Sequence, residues 1–311
     1  MSRAGAGVWL TVLSGLSFAT SGPLVKSVLA EGWSPGAALA VRLTGAAALL
    51  LTLAVCVDPR GLLGIRQHLR TVGAFGVVAV VGVQATFFLS LQYLQVGVTL
   101  MLQALAPIVV IGWSWAVRGD KPSRSVLFGT ALALAGAALV IDVFAAGGVS
   151  LPGVGWALLS MLCNAAFFLL SERTSDSLSQ VTLLGSGLTI AAATAWVLVI
   201  TGVLPGVVGS GTARLADHDI PVPLALTLLV LSTVTAYLAG VAGAARIGST
   251  LMSLVLLCEV LFAVVLSWLL VGESVRPVQM AGGVLVIGGI VFARRGADAP
   301  APAPARAPAL T

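Results

Sequence analysis

Residues 248–273 read GSTLMSLVLLCEVLFAVVLSWLLVGE, and this stretch decides the fold class of the chain. It is long enough to cross a bilayer as a helix, since about 20 apolar residues suffice. One acid, Glu259, lies near its middle. A charged side chain at that depth costs roughly 2.5–3.5 kcal/mol, so we expect Glu259 to have a structural or a functional role.

The first half of the chain contains a matching stretch. Two motifs recur about 150 residues apart: VGVTLM at 96–101 with IGSTLM at 247–252, and WAVRGD at 115–120 with WLLVGE at 268–273. Trp9 and Lys26 also match Trp156 and Arg173, each 147 residues later. The chain therefore contains an internal repeat, which indicates two copies of one structural unit.

The composition excludes a soluble globular protein. Of the 311 residues, 59% are apolar and 9% are charged, and the mean hydropathy is +1.09. Soluble domains carry about 25% charged residues. The net charge is +5, but the basic residues form no patch, so no nucleic-acid partner is predicted. The three cysteines lie in apolar segments and predict neither disulfides nor a metal site.

Ten apolar segments are long enough to span a bilayer, and each must be helical because lipid cannot pair with backbone N–H and C=O groups. They are residues 7–28, 36–57, 71–91, 97–117, 125–144, 153–170, 181–203, 223–243, 248–271 and 278–293. Twelve of the sixteen Lys and Arg fall on the side of the termini and three on the other, which predicts cytoplasmic termini. The Ala/Pro-rich segment 296–311 is predicted to be a disordered tail.

Each repeat, about 7–144 and about 153–293, contains five predicted spans. Because five is odd, the second copy enters the membrane upside down. Inverted repeats are typical of transporters that alternate access around a site near the bilayer midplane. We therefore predict an all-α polytopic membrane protein, with ten transmembrane helices as two inverted five-helix repeats in a transporter unit at residues 1–295.

Glycine–acid pairs end the fourth and ninth spans, at Gly119-Asp120 and Gly272-Glu273. Small-residue pairs, Ala135-Gly136 and Gly288-Gly289, lie in the fifth and tenth spans, and Arg42 lies in the second. With these motifs the chain resembles the EamA family of the drug/metabolite transporter superfamily, over residues 8–293. The resemblance implies ten helices and the export or exchange of small metabolites, often amino acids or drugs.

Two positions depart from the family pattern. Val260 follows Glu259 where the family commonly has proline, so the family pattern gives no basis for predicting a kink in the ninth span. Thr189 is the second-repeat counterpart of Arg42, so only the first repeat carries an intramembrane arginine.

Glu259 and Arg42 are the leading functional candidates, and each has an alternative role. Glu259 is either a carboxylate for proton coupling or amine binding, or a neutral acid hydrogen-bonded within the bundle. Arg42 either extends along the helix to the membrane surface, or pairs with Glu259 or a substrate carboxylate. Asp120 and Glu273 lie in turns at helix ends beside Lys121 and Arg276, and local capping and charge pairing at the turn are their predicted roles.

Polar side chains on the other spans are candidates to line a cavity, and contact between helices is the alternative for each. They are Ser17, Gln84, Thr99, Gln103, Asn164 and Tyr237, with Thr235 as the repeat counterpart of Gln84. Thr99, Gln103 and Pro107 share one face of the fourth span. Pro107 is predicted to bend that span because it frees the carbonyl of Gln103.

Catalytic motifs are missing from the sequence, which has no GxSxG, HExxH or Walker loop. No enzyme activity, cofactor or metal is therefore predicted. We expect a secondary transporter in the cell membrane that exports or exchanges small metabolites, amino acids first, with proton coupling through Glu259 or none. A multidrug exporter and a non-transporting structural or receptor subunit are the alternatives. The small-residue faces of the fifth and tenth spans predict either scaffold contacts or a homodimer surface.

Overall fold

The apolar segments form helices in the computed structural model, which describes residues 3–118, 124–141, 150–174, 179–256, 258–273 and 275–297. The helices are α1 (Arg3–Ala30), α2 (Pro35–Val57), α3 (Pro59–Gly64), α4 (Leu69–Ala74), α5 (Val83–Ser90), α6 (Val96–Gln103), α7 (Ala106–Arg118), α8 (Arg124–Ile141), α9 (Leu151–Thr174), α10 (Gln180–Ile200), α11 (Val222–Val255), α12 (Cys258–Val271) and α13 (Pro277–Ala297). A 3₁₀ turn, Ile65–His68, and a π-helical stretch, Phe75–Gly82, connect α3 to α5. Strands β1 (Thr212–Leu215) and β2 (His218–Pro221) form an antiparallel hairpin.

Five helices within this described part are long and apolar enough to cross a membrane: Gly5–Ala30, Pro35–Val57, Pro59–Ser90, Gln180–Ile200 and Val222–Gly240. Shorter apolar helices accompany them: Leu127–Gly136, Leu151–Phe167, Cys258–Val271 and Pro277–Gly289. The bundle exposes many large apolar side chains, including Trp9, Trp113 and Trp268. A surface of this kind suits lipid and would be unusual in water.

The fourth and ninth predicted spans are interrupted at matching places. Helix α6 ends at Gln103 and α7 begins at Ala106, while α11 ends at Val255 and α12 begins at Cys258. Pro107 lies in the first turn of α7, where its missing N–H leaves no helical hydrogen bond unmade. The second interruption has no such proline, and it lies in a span for which the sequence offers no basis to predict a kink. The break is therefore a property of the repeat and does not depend on proline.

The predicted boundary between the eighth and ninth spans is wrong. Helix α11 continues through residues 243–248 to Val255 and has 34 residues, which is about 51 Å at 1.5 Å per residue. The connecting sequence VAGAARIG, residues 241–248, has no proline, and its glycines each lower helix stability by only about 1 kcal/mol. The third predicted span also begins earlier, since the chain is helical from Pro59 to Ser90.

The two halves of the chain pack on each other in a reciprocal way. Helix α1 lies along α11 and α12, and α9 in turn lies along α5, α6 and α7. Helix α2 pairs with α10, and α8 pairs with α13. This exchange agrees with a two-repeat architecture. Below, the end of the bundle where α1 begins is called the N-terminal end, and the opposite end is called the Lys26 end.

Serine N-caps connect α2 and α10 at both ends of the bundle. At the Lys26 end, Ser34 caps α2 and its Oγ donates a hydrogen bond to the carbonyl of Pro205 at 2.5 Å. At the N-terminal end, Ser179 caps α10 and its Oγ donates to Asp58 Oδ2 at 2.5 Å. The segment that follows α10 thus holds the start of α2, and the residue that follows α2 holds the start of α10.

Asp58 makes the stability of this contact dependent on pH. Its carboxylate accepts hydrogen bonds from Ser179, Thr182 and the N–H of Gly61, and these hold the pKa of Asp58 below its ordinary value of 3.8. Because the folded pKa lies below the unfolded pKa, the stabilisation is present above 3.8 and is lost as the pH falls through the folded value.

We expect Asp58→Asn to reduce the loss of thermal stability in acid, since the substituted side chain no longer titrates. Melting of the detergent-solubilised protein from about pH 6 to about pH 3 measures this effect. The control is Asp219→Asn, which removes a carboxylate from β2. An Asp58→Asn protein that loses stability in acid as steeply as the unmodified chain contradicts the prediction.

Helices α8 and α13 cross at glycines, so these small-residue faces contact each other within the chain. A Cβ atom on Gly289 would lie 2.5 Å from the carbonyl oxygen of Gly129 and 2.6 Å from the N of Ala133. The adjacent Gly288 has nothing within 4 Å of its own Cβ position. The two neighbouring glycines therefore make a matched pair for substitution.

We expect Gly289→Ala to lower the free energy of unfolding by about 1–3 kcal/mol, because a backbone contact cannot yield as a side chain does. Gly288→Ala should leave it unchanged or raise it by about 0.5–1 kcal/mol, the gain in helix propensity. Denaturant titration in detergent compares the two variants. Equal stabilities would contradict the close crossing.

Candidate functional site

Arg42 of α2 is the centre of a buried polar cluster. The residue is 3% exposed. Its Nε donates to Thr233 Oγ1 at 2.7 Å and its Nη2 donates to Ser21 Oγ at 3.1 Å. The guanidinium carbon lies 5.5 Å from the centre of the Phe88 ring, within the range of a cation–π contact. Arg42 is thus held inside the bundle. It does not extend along the helix to the membrane surface, which was one of its two predicted roles.

The charge of Arg42 is not balanced by a carboxylate within 4 Å among the described residues. Its two hydrogen bonds use two of the five N–H donors of a guanidinium. The hypothesised direct pair with Glu259 is absent from the described contacts, although Tyr237 lies within electrostatic range of both residues. A buried cation without a counter-charge is costly, which favours an anionic partner that binds to it.

Gln84 and Tyr237 extend the cluster from α5 to α11. Gln84 Nε2 donates to the Tyr237 hydroxyl at 3.3 Å, and Tyr237 packs edge-on against Phe18 with ring centres 5.2 Å apart. Gln84 Oε1 is buried and accepts no hydrogen bond from the residues described. This oxygen is available to a ligand that carries an N–H donor.

Thr235, expected opposite Gln84, is exposed on the outside of α11. Successive residues of a helix are about 100° apart, so Thr235 faces away from Thr233 and Tyr237, which lie one turn apart.

Glu259 lies in the first turn of α12, directly after the interruption that separates α12 from α11. It is half-buried, and a Cβ on Gly15 of α1 would lie 3.7 Å from its Cβ. Its carboxyl group has no hydrogen-bond partner among the side chains that the structure describes. Unpaired N–H groups and the helix dipole favour a negative charge in this first turn.

Gln103 and Thr99 belong to other contacts. Gln103 Nε2 donates to Ser160 Oγ at 2.7 Å, and Ser160 Oγ donates to the carbonyl of Val83 at 3.0 Å. Thr99 Oγ1 lies 3.1 Å from Ser90 Oγ, and Ser90 also donates to the carbonyl of Gly153. These hydrogen bonds connect α6 and α5 to α9, so in this structure both residues hold helices together.

Ser17 and Asn164 are the remaining predicted site residues. Ser17 is buried on α1, and Asn164 is half-buried on α9. Neither side chain is placed in the cluster around Arg42 by the hydrogen bonds described. Groups of three or more His, Cys, Asp and Glu that could hold a metal are also missing from the described part of the chain.

Comparison with known proteins assigns the fold and the family. A model of the EamA-like transporter family matches the chain twice, at residues 5–142 and 151–295. The chain belongs to the EamA-like transporter family. It is therefore a multi-pass membrane transporter with two homologous halves.

Solved structures share the fold of this EamA-like transporter, and twenty of their chains match it. One, described as "Crystal structure of protein", has a TM-score of 0.60 at 17% sequence identity and is covered over 98% of its length by 94% of this chain. A search of the curated proteins finds no match. The structural likeness therefore shows the fold and names no substrate.

The sequence did not single out Thr233, which anchors Arg42 in the transporter. Thr233 and Tyr237 lie four residues apart on one face of α11, and Ser17 and Ser21 have the same spacing on α1. Polar pairs at this spacing, on helices that are otherwise apolar, are the signal that could have found it.

The polar cluster of this EamA-like transporter is closed. Arg42, Gln84, Ser21 and Thr233 are each less than 9% exposed. A cavity of about 530 Å³ lies between α2, α10 and α11, but it is mainly apolar and Arg42 does not line it. These four side chains are therefore shielded from solvent in this structure.

Proposed function

We propose that this EamA-like transporter moves small carboxylate-bearing metabolites, amino acids first, by alternating access around Arg42, Gln84, Tyr237 and Glu259. The chain would cross the cell membrane ten times as two inverted repeats. The excess of Lys and Arg on the side of the termini supports an N-terminal end in the cytoplasm.

The buried Arg42 carries the proposal. A guanidinium that is 3% exposed and has no carboxylate beside it in the described structure must be compensated or remain a cost to the fold. Thr233 and Ser21 fix its orientation through two N–H groups, which leaves others for a ligand. A carboxylate fits this donor arrangement because a guanidinium can bind it through two parallel hydrogen bonds.

Acceptors around Arg42 support a ligand that also carries an ammonium group. Gln84 Oε1 is buried without a described partner, and Glu259 supplies a carboxylate at the start of α12. The rings of Phe88, Tyr237 and Phe18 offer apolar surface between these polar groups. A zwitterion with an apolar side chain matches these groups. Its carboxylate fits Arg42, its ammonium group fits the acceptors, and its side chain fits the rings.

Glu259 is the proposed coupling residue. It lies where a broken helix begins, which in transporters is a common place for groups that bind substrates or ions. Binding of a proton from outside would neutralise the carboxylate, and its release inside would accompany export of the substrate. Proton antiport is the coupling that this exchange predicts.

Counterflow in proteoliposomes tests the proposed function. Vesicles loaded with an unlabelled neutral amino acid should accumulate the labelled form, and other zwitterions should compete. The matching amine, which lacks the carboxylate, should not compete, because it offers nothing to Arg42. Vesicles without protein provide the background.

The outcomes separate the alternatives. Movement of lipophilic cations without movement of amino acids would favour a multidrug exporter. If neither class moves above the background, the chain is better explained as a non-transporting subunit with a transporter fold.

A further inference from the structure

Lys26 and Glu273 connect three helices at the Lys26 end. Lys26 Nζ pairs with Glu273 Oε1 and also donates to the carbonyl of Leu94 at 3.1 Å. Glu273 Oε2 accepts the N–H of Val96, the first residue of α6, at 3.0 Å. The side chains are 29% and 9% exposed. Glu273 thus caps α6 and pairs with α1, which lie far from it in the sequence.

The same three helices pack without spare space below this ion pair. A Cβ on Gly22 of α1 would overlap Val96 Cγ1 of α6. A Cβ on Gly97 of α6 would lie 2.9 Å from Val264 Cγ2 of α12. Close contacts thus join α1 to α6 and α6 to α12 between Glu273 and Glu259.

The β-hairpin covers the same end. The N–H of Ala216, at the tip of the hairpin, donates to the carbonyl of Leu270 in the last turn of α12 at 2.8 Å. The Leu270 carbonyl lies in the last turn of α12, where carbonyl groups have no hydrogen-bond partner within the helix. The end of α12 is therefore held by α1, by α6 and by the hairpin.

We propose that the Lys26–Glu273 ion pair, together with the α6 cap, is the gate that closes the substrate site toward the Lys26 end. The inference rests on the proposed transport function. Separating the pair frees the end of α12 from α1 and α6, and the path past Gly22 and Gly97 opens. The ion pair favours the closed state because both charges are partly shielded from water. A shielded ion pair is stronger than one at the exposed surface.

Helix α12 links this gate to the site. Its 14 residues, about 21 Å of helix, begin with Cys258 and Glu259 and end two residues before Glu273. Since Glu259 lies against Gly15 of α1, a movement that takes Glu273 away from Lys26 also changes the surroundings of Glu259. Opening of the gate and release from the site are thus coupled through one rigid element.

A cysteine at Ser267 reports the state of the gate. Ser267 is 0% exposed, lies on α12 between Glu259 and Glu273, and its Oγ has no described partner. The chain carries Ser267→Cys with its three native cysteines replaced by alanine, in proteoliposomes. Labelling by a membrane-impermeant maleimide from the Lys26 side should be slow with the gate intact.

We expect Lys26→Met and Glu273→Gln each to speed the labelling of this cysteine about tenfold or more, because each removes the ion pair and Glu273→Gln also weakens a helix cap. The double exchange, Lys26→Glu with Glu273→Lys, should be labelled more slowly than Lys26→Glu alone or Glu273→Lys alone. Arg214→Met is the matched control, since it removes a cation from the exposed Arg214–Asp217 pair at the same end. It should leave the rate unchanged.

Labelling that is no faster in Lys26→Met and Glu273→Gln than in the control overturns the gate. Equal acceleration in the control also overturns it, because general loosening would then explain the effect. Size-exclusion profiles verify folding, and Lys26→Met alone decides if Glu273→Gln fails to fold. Labelling requires no substrate, so the gate and the transport proposal can fail separately. If labelling shows no gate, the transport proposal still stands. If counterflow fails although Lys26→Met and Glu273→Gln speed the labelling, only the substrate assignment is lost.

Discussion

Arg42→Met is expected to reduce amino acid counterflow about 100-fold or more, to the level of empty vesicles. Removing one partner of a buried, hydrogen-bonded charge pair commonly costs 2–5 kcal/mol, and every 1.4 kcal/mol is a factor of ten. Arg42→Lys should also fall well below the unmodified protein, because an ammonium group does not reproduce the paired N–H groups of a guanidinium.

The fold should survive this change, which separates binding from stability. Thr233 Oγ1 still donates to the carbonyl of Leu229 at 2.6 Å, and Ser21 Oγ remains 3.3 Å from Ser232 Oγ. Replacing a buried cation with an apolar side chain of similar length also removes its desolvation cost. We expect an unchanged or higher melting temperature.

Arg246→Met is the control for Arg42, because Arg246 is exposed and its Nη1 donates within its own helix, to the carbonyl of Ala242. Full counterflow is expected from it. Transport by Arg42→Met at the rate of the Arg246→Met control would remove Arg42 from the substrate site.

Glu259→Gln is expected to abolish accumulation driven by a pH gradient while counterflow without a gradient continues at a lower rate, because the amide oxygen still accepts a hydrogen bond from the substrate ammonium group. The amide has nearly the shape of the carboxyl group but cannot bind and release a proton. Uptake into inside-out vesicles, with and without an imposed gradient, measures the difference. Asp219→Asn, in the exposed strand β2, should respond to the gradient as the unmodified protein does.

Gradient-driven accumulation in Glu259→Gln equal to that of the Asp219→Asn control would assign Glu259 a structural role. Complete loss of counterflow as well as of gradient response would instead make the Glu259 carboxylate essential for substrate binding. The two assays together therefore distinguish coupling from binding for one residue.

Membrane class and repeat were predictable from the sequence because they depend on local composition. Apolar runs of about 20 residues and the recurring glycine–acid pairs need no knowledge of packing. The break before α12 was not predictable in the same way, since no proline marks it and α11 passes through a predicted loop. Local propensity is weak there, and contacts between helices decide where each helix ends.

The candidate site shows the same division. A buried charge such as Arg42 stands out in an apolar segment, but its anchor Thr233 lies 191 residues away. The pairing of Glu273 with Lys26 joins residues 247 apart, whereas the sequence suggested a role for Glu273 within its own turn. Such partners depend on which helices meet, and one sequence without relatives does not contain that information.

The packing of α1 on α11 has a consequence for synthesis of the protein. Ser14 Oγ donates to the carbonyl of Ala236 at 2.7 Å, a contact between residues 222 apart. At about 5–20 residues per second, the ribosome needs about 10–45 seconds to add those residues. The first helix therefore enters the bilayer before its neighbour from the second half is made. The first half cannot complete its packing alone, so the two halves finish folding together.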